Sequence, residues 1–231
     1  MRKYYITLSA LLAFMTFYAQ ETNNTDLDKN IINQALRYAD IDVAVKSMYS
    51  IIAKEGANST YKDSLAYLYF RDRRYSSCFM VCTDILAKDG NKMDILEMQA
   101  VSLESLGVLD KAAQVYAKLV VKSNNNFHAY KLANLYFAQK KYDEAYNAIK
   151  RAQELKDAGT IEVTFAVNKN YNQQVVLLAA ISNLKGLIEF EQDKMDLAKA
   201  SFQKAIEIQS DFVWAKENLE AVAQGKEMKK E

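Results

Sequence analysis

Residues 130–158 read YKLANLYFAQKKYDEAYNAIKRAQELKDA and have the pattern of two short amphipathic helices joined by a polar turn. Apolar residues recur at helical spacing in each half, at Leu132, Ala133 and Tyr136 and then at Ala145, Ile149 and Ala152. Residues 139–141, which read QKK, form the turn. Because Ala133 and Ala145 are small, the two helices can approach closely, while larger side chains fill the space beside the contact. The stretch predicts a compact helical hairpin.

The small residue of the second helix recurs along the chain at regular intervals. It stands at Ala44, Cys78, Ala112, Ala145 and Ala198, with separations of 34, 34, 33 and 53 residues. The first three intervals indicate a 34-residue repeat, and the last equals one repeat plus an insertion of about nineteen residues. The predicted array spans residues 25–224, with units at 25–58, 59–92, 93–125, 126–159 and 179–212. An insertion at 160–178 separates the last two units, and a capping helix at 213–224 ends the array. A charged tail, residues 225–231, follows.

These units resemble tetratricopeptide repeats. The Leu-small-Tyr core of that family is matched at Leu65-Ala66-Tyr69 and at Leu132-Ala133-Tyr136, and less well elsewhere. The resemblance implies an all-α fold, a right-handed superhelix of about five helix-turn-helix repeats with a C-terminal capping helix and a short β-strand insertion before the last repeat. The fifth unit departs from the family pattern at Lys185 and Glu189, and terminal units often deviate because they face solvent on one side.

The insertion differs in kind from the repeats. Residues 161–167, IEVTFAV, alternate apolar and polar or small side chains, which is the period of a β-strand. Residues 168–170, NKN, indicate a turn. A lone strand is not stable by itself, so we expect residues 161–167 to pair either with residues 171–176 as a hairpin or with a strand from another chain.

The first nineteen residues predict a secretory signal peptide. Residues 2–3 are basic, residues 6–17 are almost continuously apolar, and Ala19 offers a small residue for cleavage. A polar leader, residues 20–24, follows, and an uncleaved N-terminal anchor is the alternative. The ending YAQ at residues 18–20 is similar to signal ends in exported proteins of the Bacteroidota. We therefore expect an exported protein, periplasmic or at the cell surface or secreted, in a Gram-negative bacterium.

The charge balance excludes a strong general attraction to nucleic acid. The chain of 231 residues has 30 Lys and Arg against 29 Asp and Glu, a formal net charge of +1. No global field therefore steers an anionic partner to it. We expect a protein or peptide partner, no nucleic acid, and no membrane span once the signal peptide is removed.

Patterns for catalysis, cofactors or metals are scarce. His128 is the single histidine, and its place at the start of a helix predicts a surface or capping role. Cys78 and Cys82 are spaced i, i+4 at positions predicted to be buried, which favours packed thiols, with a disulfide bond or half of a metal site as alternatives. Neither a Gly-rich phosphate loop nor a Gly-x-Ser-x-Gly motif is present. The sequence predicts no catalytic residue, no cofactor and no metal site.

The family resemblance implies that first helices of the repeats line a concave groove. The groove residues expected to bind the partner are Tyr67, Phe70, Tyr130, Asn134, Phe137, Asn183 and Phe190. Aromatic rings with a polar rim suit protein binding, although the phenylalanines at 70, 137 and 190 are equally explained as core. In the insertion, the expected contact residues are Val163, Phe165 and Tyr171.

The main functional expectation is a non-catalytic scaffold of the cell envelope that binds a protein or peptide in this groove. One alternative is a structural subunit of an envelope or secretion assembly that uses residues 160–176 for strand pairing. A minor alternative is an accessory domain of an enzyme.

Overall fold

The computed structural model describes residues 24–156, 159 and 161–225. The predicted signal peptide and nearly all of the predicted charged tail lie outside the described residues. Within the described part there are eleven helices and one two-stranded sheet. In chain order they are α1 (Asp26–Arg37), α2 (Ile41–Glu55), α3 (Tyr61–Arg71), α4 (Tyr75–Leu86), α5 (Met93–Ser105), α6 (Leu109–Ser123), α7 (Asn126–Ala138), α8 (Tyr142–Glu154), β1 (Glu162–Asn168), β2 (Tyr171–Val176), α9 (Leu177–Glu191), α10 (Met195–Ile208) and α11 (Val213–Gln224).

The described residues form two compact units, which meet in sequence at Gly90 and Asn91. The N-terminal unit holds α1 to α4, and the C-terminal unit holds α5 to α11 with the hairpin. Inside each unit, helices that follow one another in the chain pack together as pairs. The predicted fold class, helical pairs with a strand insertion before the last pair, is confirmed.

All five turns inside a helix pair close in the same way. One residue takes a left-handed conformation, with φ between 55° and 73°, at Ala39, Arg73, Gly107, Lys140 and Asp193. The next N–H bonds to the carbonyl five residues earlier, as from Asp40 N to Ala35 O at 2.8 Å, which is the Schellman closure of a helix end. These residues recur at the intervals 34, 34, 33 and 53, like the buried small residues.

A lysine near the end of the second helix ties two of the repeats to the loop that precedes their first helix. Lys88 Nζ donates to Asn58 Oδ1 at 3.0 Å, and Lys122 Nζ donates to Asn91 Oδ1 at 2.6 Å. The two lysines are 34 residues apart and the two asparagines 33 apart. Because these contacts are exposed to water, each contributes little to stability. Each joins the loop before a repeat's first helix to the end of its second helix.

The small residues that define the repeat period all lie in the core. Ala44, Cys78, Ala112, Ala145 and Ala198 are fully buried. The Sγ atoms of Cys78 and Cys82 are 3.8 Å apart, whereas a disulfide bond is about 2.0 Å long. The interpretation of this pair as packed thiols is confirmed.

The departures of the fifth repeat from the family pattern do not face solvent, contrary to our expectation. Glu189 is 0% exposed, and its carboxylate lies 3.0 Å from Lys185 Nζ. Its second oxygen accepts a hydrogen bond from Ser201 at 2.6 Å. The carboxylate can be buried because an ammonium and a hydroxyl contact it, so the two residues act together as an internal ion pair.

The insertion forms an antiparallel hairpin. Glu162 lies opposite Val176 and Ala166 lies opposite Asn172, with an irregularity before Asn168. Of the two pairings expected from the sequence, the structure has the one within the chain. Asn168 Oδ1 accepts from Asn170 N at 3.0 Å, which closes the reversal.

The apolar face of the hairpin is covered by the last helix. The Phe165 ring meets Phe212 and Trp214 edge-on, with centroids 4.8 and 5.1 Å away. All three side chains are buried. This cluster fixes the hairpin against the start of α11, because edge-to-face aromatic pairs add specific geometry to area burial.

Candidate functional site

One face of α7 is the centre of the candidate site. Phe127, Lys131, Asn134 and Ala138 are spaced i, i+4, i+7 and i+11, so they form one stripe along the helix. The stripe borders two cavities of the C-terminal unit, and Lys131 and Asn134 line both of them.

The hairpin cavity lies between α7, β1 and the start of α11. Its volume is about 480 Å³, within the range of roughly 300–1,000 Å³ that is usual for ligand pockets. Its lining residues are Phe127, Tyr130, Lys131, Asn134, Glu162, Val163, Thr164, Phe165, Ala166 and Trp214. Four aromatic rings with a few polar groups make it an apolar cleft with hydrogen-bonding capacity.

The helix cavity lies on the other side of the stripe, between α7 and the α5–α6 turn region. Its volume is about 420 Å³, and its lining residues are Glu104, Leu109, Lys131, Asn134, Leu135, Phe137, Ala138, Lys140 and Tyr142. Lys131 Nζ lies 2.6 Å from Glu104 Oε1, so the ammonium that both cavities share is already neutralised.

The phenols next to this ion pair stay neutral. Tyr116 OH donates to Glu104 Oε2 at 3.3 Å, and burial, followed by the Glu104 charge, raises the pKa of Tyr116. Tyr142 OH donates to Glu191 Oε2 at 2.7 Å, and this hydrogen bond raises the pKa of Tyr142. Apart from the Lys131–Glu104 pair, Lys140 and Glu162, the two linings therefore offer rings and neutral polar groups.

The structure places two of the predicted groove residues in the N-terminal unit. Tyr67 is 58% exposed, whereas Phe70 is half-buried and meets the Tyr75 ring edge-on at 6.3 Å. A cavity of about 490 Å³ in this unit is lined by other residues, among them Tyr49 and Met80. Tyr67 is thus an exposed ring that lines none of these three cavities.

The expectation that Tyr130 is presented on an open surface is wrong. Its side chain is 1% exposed. It forms part of the wall of the hairpin cavity. Asn134, one turn further along α7, is half-buried and reaches both cavities.

The expectation that Asn183 lies exposed in the groove is also wrong. Asn183 is fully buried on α9, and its Oδ1 accepts from Asn218 Nδ2 of α11 at 3.2 Å, so it joins two helices. Phe137 and Phe190 are half-buried and pack on the core of Leu187 and Phe202. Of these three predicted groove residues, Phe137 lines a cavity.

The three insertion residues predicted to contact the partner differ in burial and in their position relative to the hairpin cavity. Val163 is half-buried and lines the hairpin cavity. Phe165 is buried in the aromatic cluster, so the expectation of an exposed contact residue is wrong, although its edge forms cavity wall. Tyr171 is exposed on β2 and lies outside the cavity lining. The hairpin therefore brings Val163 and Phe165 to Tyr130 and Asn134, residues that lie about 30 positions earlier.

The prediction that His128 lies at the surface is wrong. It is buried, with Nδ1 2.7 Å from Ser123 Oγ and Nε2 3.0 Å from Glu97 Oε1. Ser123 Oγ also donates to the Leu119 carbonyl at 2.7 Å, which satisfies the hydroxyl within its own helix. The Ser-His-Glu arrangement is a contact between α5, α6 and α7. Glu97 precedes His128 by 31 residues, which is close to the length of one repeat. This spacing was the signal in the sequence that the two residues could meet.

Lys131 and Trp214 are site residues that the sequence reasoning missed. The helical spacing from Phe127 to Asn134 was a usable signal for Lys131, whereas the contact of Trp214 depends on tertiary packing. No group of three or more His, Cys, Asp or Glu side chains in the described ranges could hold a metal ion. None of the helices in that same part of the chain has the length and apolarity to cross a membrane.

Comparison with known proteins gives a family match and a shared fold. Residues 129–158 and 179–212 match the tetratricopeptide repeat family model. No curated protein matches the sequence.

Solved structures similar to the chain include three of low sequence identity. MamA has a TM-score of 0.62 at 13% identity, over 80% of this chain and 92% of MamA. MamA from Desulfovibrio magneticus RS-1 has a TM-score of 0.60 at 14% identity, over 82% and 97%. YrrB, described as a TPR protein with an unusual peptide-binding site, has a TM-score of 0.62 at 15% identity, over 88% and 95%. The chain therefore has the fold of tetratricopeptide repeat proteins, and two of its segments match that family's sequence model.

Proposed function

We propose that this protein is a non-catalytic scaffold that binds a protein or peptide at the α7 stripe, with the hairpin cavity as the main contact. The observation that carries the proposal is the cavity itself, an aromatic cleft of about 480 Å³ beside partly exposed polar groups. Such clefts with few convergent polar groups are the usual form of a binding site. The peptide-binding site named for YrrB, a protein of the same fold, supports a peptide as the ligand class.

We further propose that the protein acts outside the cytoplasm, in the cell envelope. The support is the order of basic, apolar and small residues in positions 1–19. Intact-mass measurement of the protein purified from its native cells tests this point. A chain that begins at Gln20 is expected, and a chain that keeps residues 1–19 would leave the anchored form.

Peptide selection on the full chain tests the binding function. Linear twelve-residue peptides are selected from a phage-displayed library, and the tightest is measured by calorimetry. Asn134→Ala is expected to weaken its binding by about 1 kcal/mol, since it removes a hydrogen-bonding group shared by both cavities. The matched control is Asn172→Ala, which alters an exposed amide on β2 outside both cavity linings. Equal loss in both variants would contradict the site.

A further inference from the structure

The main chain of the hairpin has a defined alternation. Leu177 N donates to Ile161 O at 3.0 Å, which makes 161 and 177 a hydrogen-bonded pair of the ladder. Opposed residues of antiparallel strands alternate between bonded and non-bonded pairs. The pairs Glu162–Val176 and Ala166–Asn172 are therefore non-bonded. On both strands, the N–H and C=O groups of even-numbered residues point away from the hairpin.

The outer edge of β2 is closed by one side chain. Gln209 Oε1 accepts from Val176 N at 2.9 Å, and Gln209 Nε2 donates to Gln174 O at 3.0 Å. A carboxamide has one acceptor and one donor side, so it replaces the contacts of a neighbouring strand. These two bonds agree with the alternation deduced from Leu177.

The outer edge of β1 is open. Across residues 24–156, 159 and 161–225, the structure shows no hydrogen bond to the outward main chain of Glu162, Thr164 or Ala166. All five residues from 162 to 166 line the hairpin cavity. If the face of the strand lined the cavity, only every second side chain would reach it. The five consecutive residues therefore indicate that the main-chain edge of β1 faces the cavity. An open edge is a template for another strand.

We propose that an extended segment of a partner protein adds to β1 as a third strand inside the hairpin cavity, with an apolar side chain at every second position. This inference rests on the proposed function and specifies its binding mode. The main-chain groups at 162, 164 and 166 hold the segment, and its alternate side chains meet the rings of Tyr130 and Trp214.

The charges of the cavity disfavour an acidic segment. Lys131 is paired with Glu104, which leaves Glu162 as the remaining ionised group of the lining. Residues 226–231 of this chain read KEMKKE, with five charged positions of six and no apolar alternation, so they do not fit the cleft. A second copy pairing through β1 would bring its own α7 to the same edge, because α7 forms the opposite wall of the cavity. A partner segment is therefore the fitting occupant.

Two proline variants of the full chain test the strand addition. Ala166→Pro removes an outward N–H at the open edge and places a ring there, whereas Asn172→Pro makes the same change directly opposite, at the β2 edge. Neither N–H bonds across the hairpin, so both variants keep the ladder. With the selected linear peptide as the probe, Ala166→Pro is expected to weaken binding by about tenfold or more, and Asn172→Pro to leave it nearly unchanged.

N-methylation of the peptide gives a second, independent readout. Methyl groups placed on successive peptide amides should abolish binding at every second position and be tolerated between them, because alternate amides of an added strand face β1. This scan decides the matter if Ala166→Pro fails to fold, which circular dichroism would reveal.

The outcomes separate this inference from the proposed function. Peptides that depend on Asn134 but ignore Ala166→Pro and show no period of two would overturn strand addition alone. Self-association of the wild-type chain that Ala166→Pro abolishes would overturn it in favour of a second copy. If the selection enriches no linear peptide, the proposed function itself fails.

Discussion

At the scale of single residues, the turns inside the helix pairs carry backbone strain. Ala39 has φ 57°, a conformation that costs an L-residue roughly 1–2 kcal/mol. Glycine adopts it freely but loses more entropy on folding. Ala39→Gly is therefore expected to stabilise the protein by about 0.5–1 kcal/mol, measured by urea unfolding.

Gly107 provides the opposite substitution in the equivalent turn. It has φ 73°, and no atom lies within 4 Å of the position that a Cβ would take. Gly107→Ala therefore introduces strain without a clash, and we expect a loss of roughly 1 kcal/mol. The same sign of effect for the two substitutions would contradict the assignment of these turns.

Tyr116 makes the stability of the protein sensitive to alkaline pH. Its folded pKa lies above the ordinary value because of burial and the Glu104 charge. A group with a raised folded pKa contributes stability that is complete below the unfolded pKa, about 10, and is lost as pH rises towards the folded pKa.

Tyr116→Phe tests this linkage. At pH 8 the variant should be less stable by roughly 0.5–1.5 kcal/mol, because the bond to Glu104 is lost. Above pH 10 the wild type loses up to about 1.4 kcal/mol per pH unit through this group, so the deficit of the variant should shrink. Urea unfolding at pH 8 and pH 11 measures both values, and an unchanged deficit would contradict a buried neutral phenol.

At the scale of elements, the contact between α9 and α10 requires glycine. A Cβ on Gly186 would lie 2.6 Å from the fully buried Phe202 ring. Gly186→Ala should therefore destabilise the protein by roughly 1–3 kcal/mol, despite the better helix propensity of alanine.

A double-mutant cycle gives the control for this contact. Phe202→Leu alone removes ring volume and should destabilise the protein. Combined with Gly186→Ala, the smaller side chain leaves room for the methyl group, so the two losses should be less than additive. Simple additivity in thermal or urea unfolding would show that Phe202 can move aside in the single variant.

The elements were predictable from local patterns, whereas several site residues were not. The period of the small residues and the alternation of residues 161–167 depend on local spacing, which sequence shows directly. Tyr130 is buried in a wall of the cavity that β1, about 30 residues later in the chain, also lines, and His128 is buried with Glu97 and Ser123 at its two ring nitrogens. Such placements depend on which segments meet in space.

At the scale of the whole molecule, the open polar main chain and the aromatic lining meet in the C-terminal unit. α7 supplies one wall of the cavity, β1 supplies an edge, and α11 supplies Trp214. The N-terminal unit contributes the exposed Tyr67 ring, which the sequence placed in the groove. Which unit contacts the partner is thus the question on which the functional account depends.

Mapping of backbone amide chemical shifts on the full chain, during titration with the selected linear peptide, shows directly whether the partner binds at β1 or at the N-terminal unit. We predict that the largest changes fall on α7 and β1, with the amides of Thr164 and Ala166 shifting downfield as they gain hydrogen bonds. Shifts confined to the N-terminal unit around Tyr67, with Thr164 and Ala166 unchanged at saturation, would contradict binding at β1.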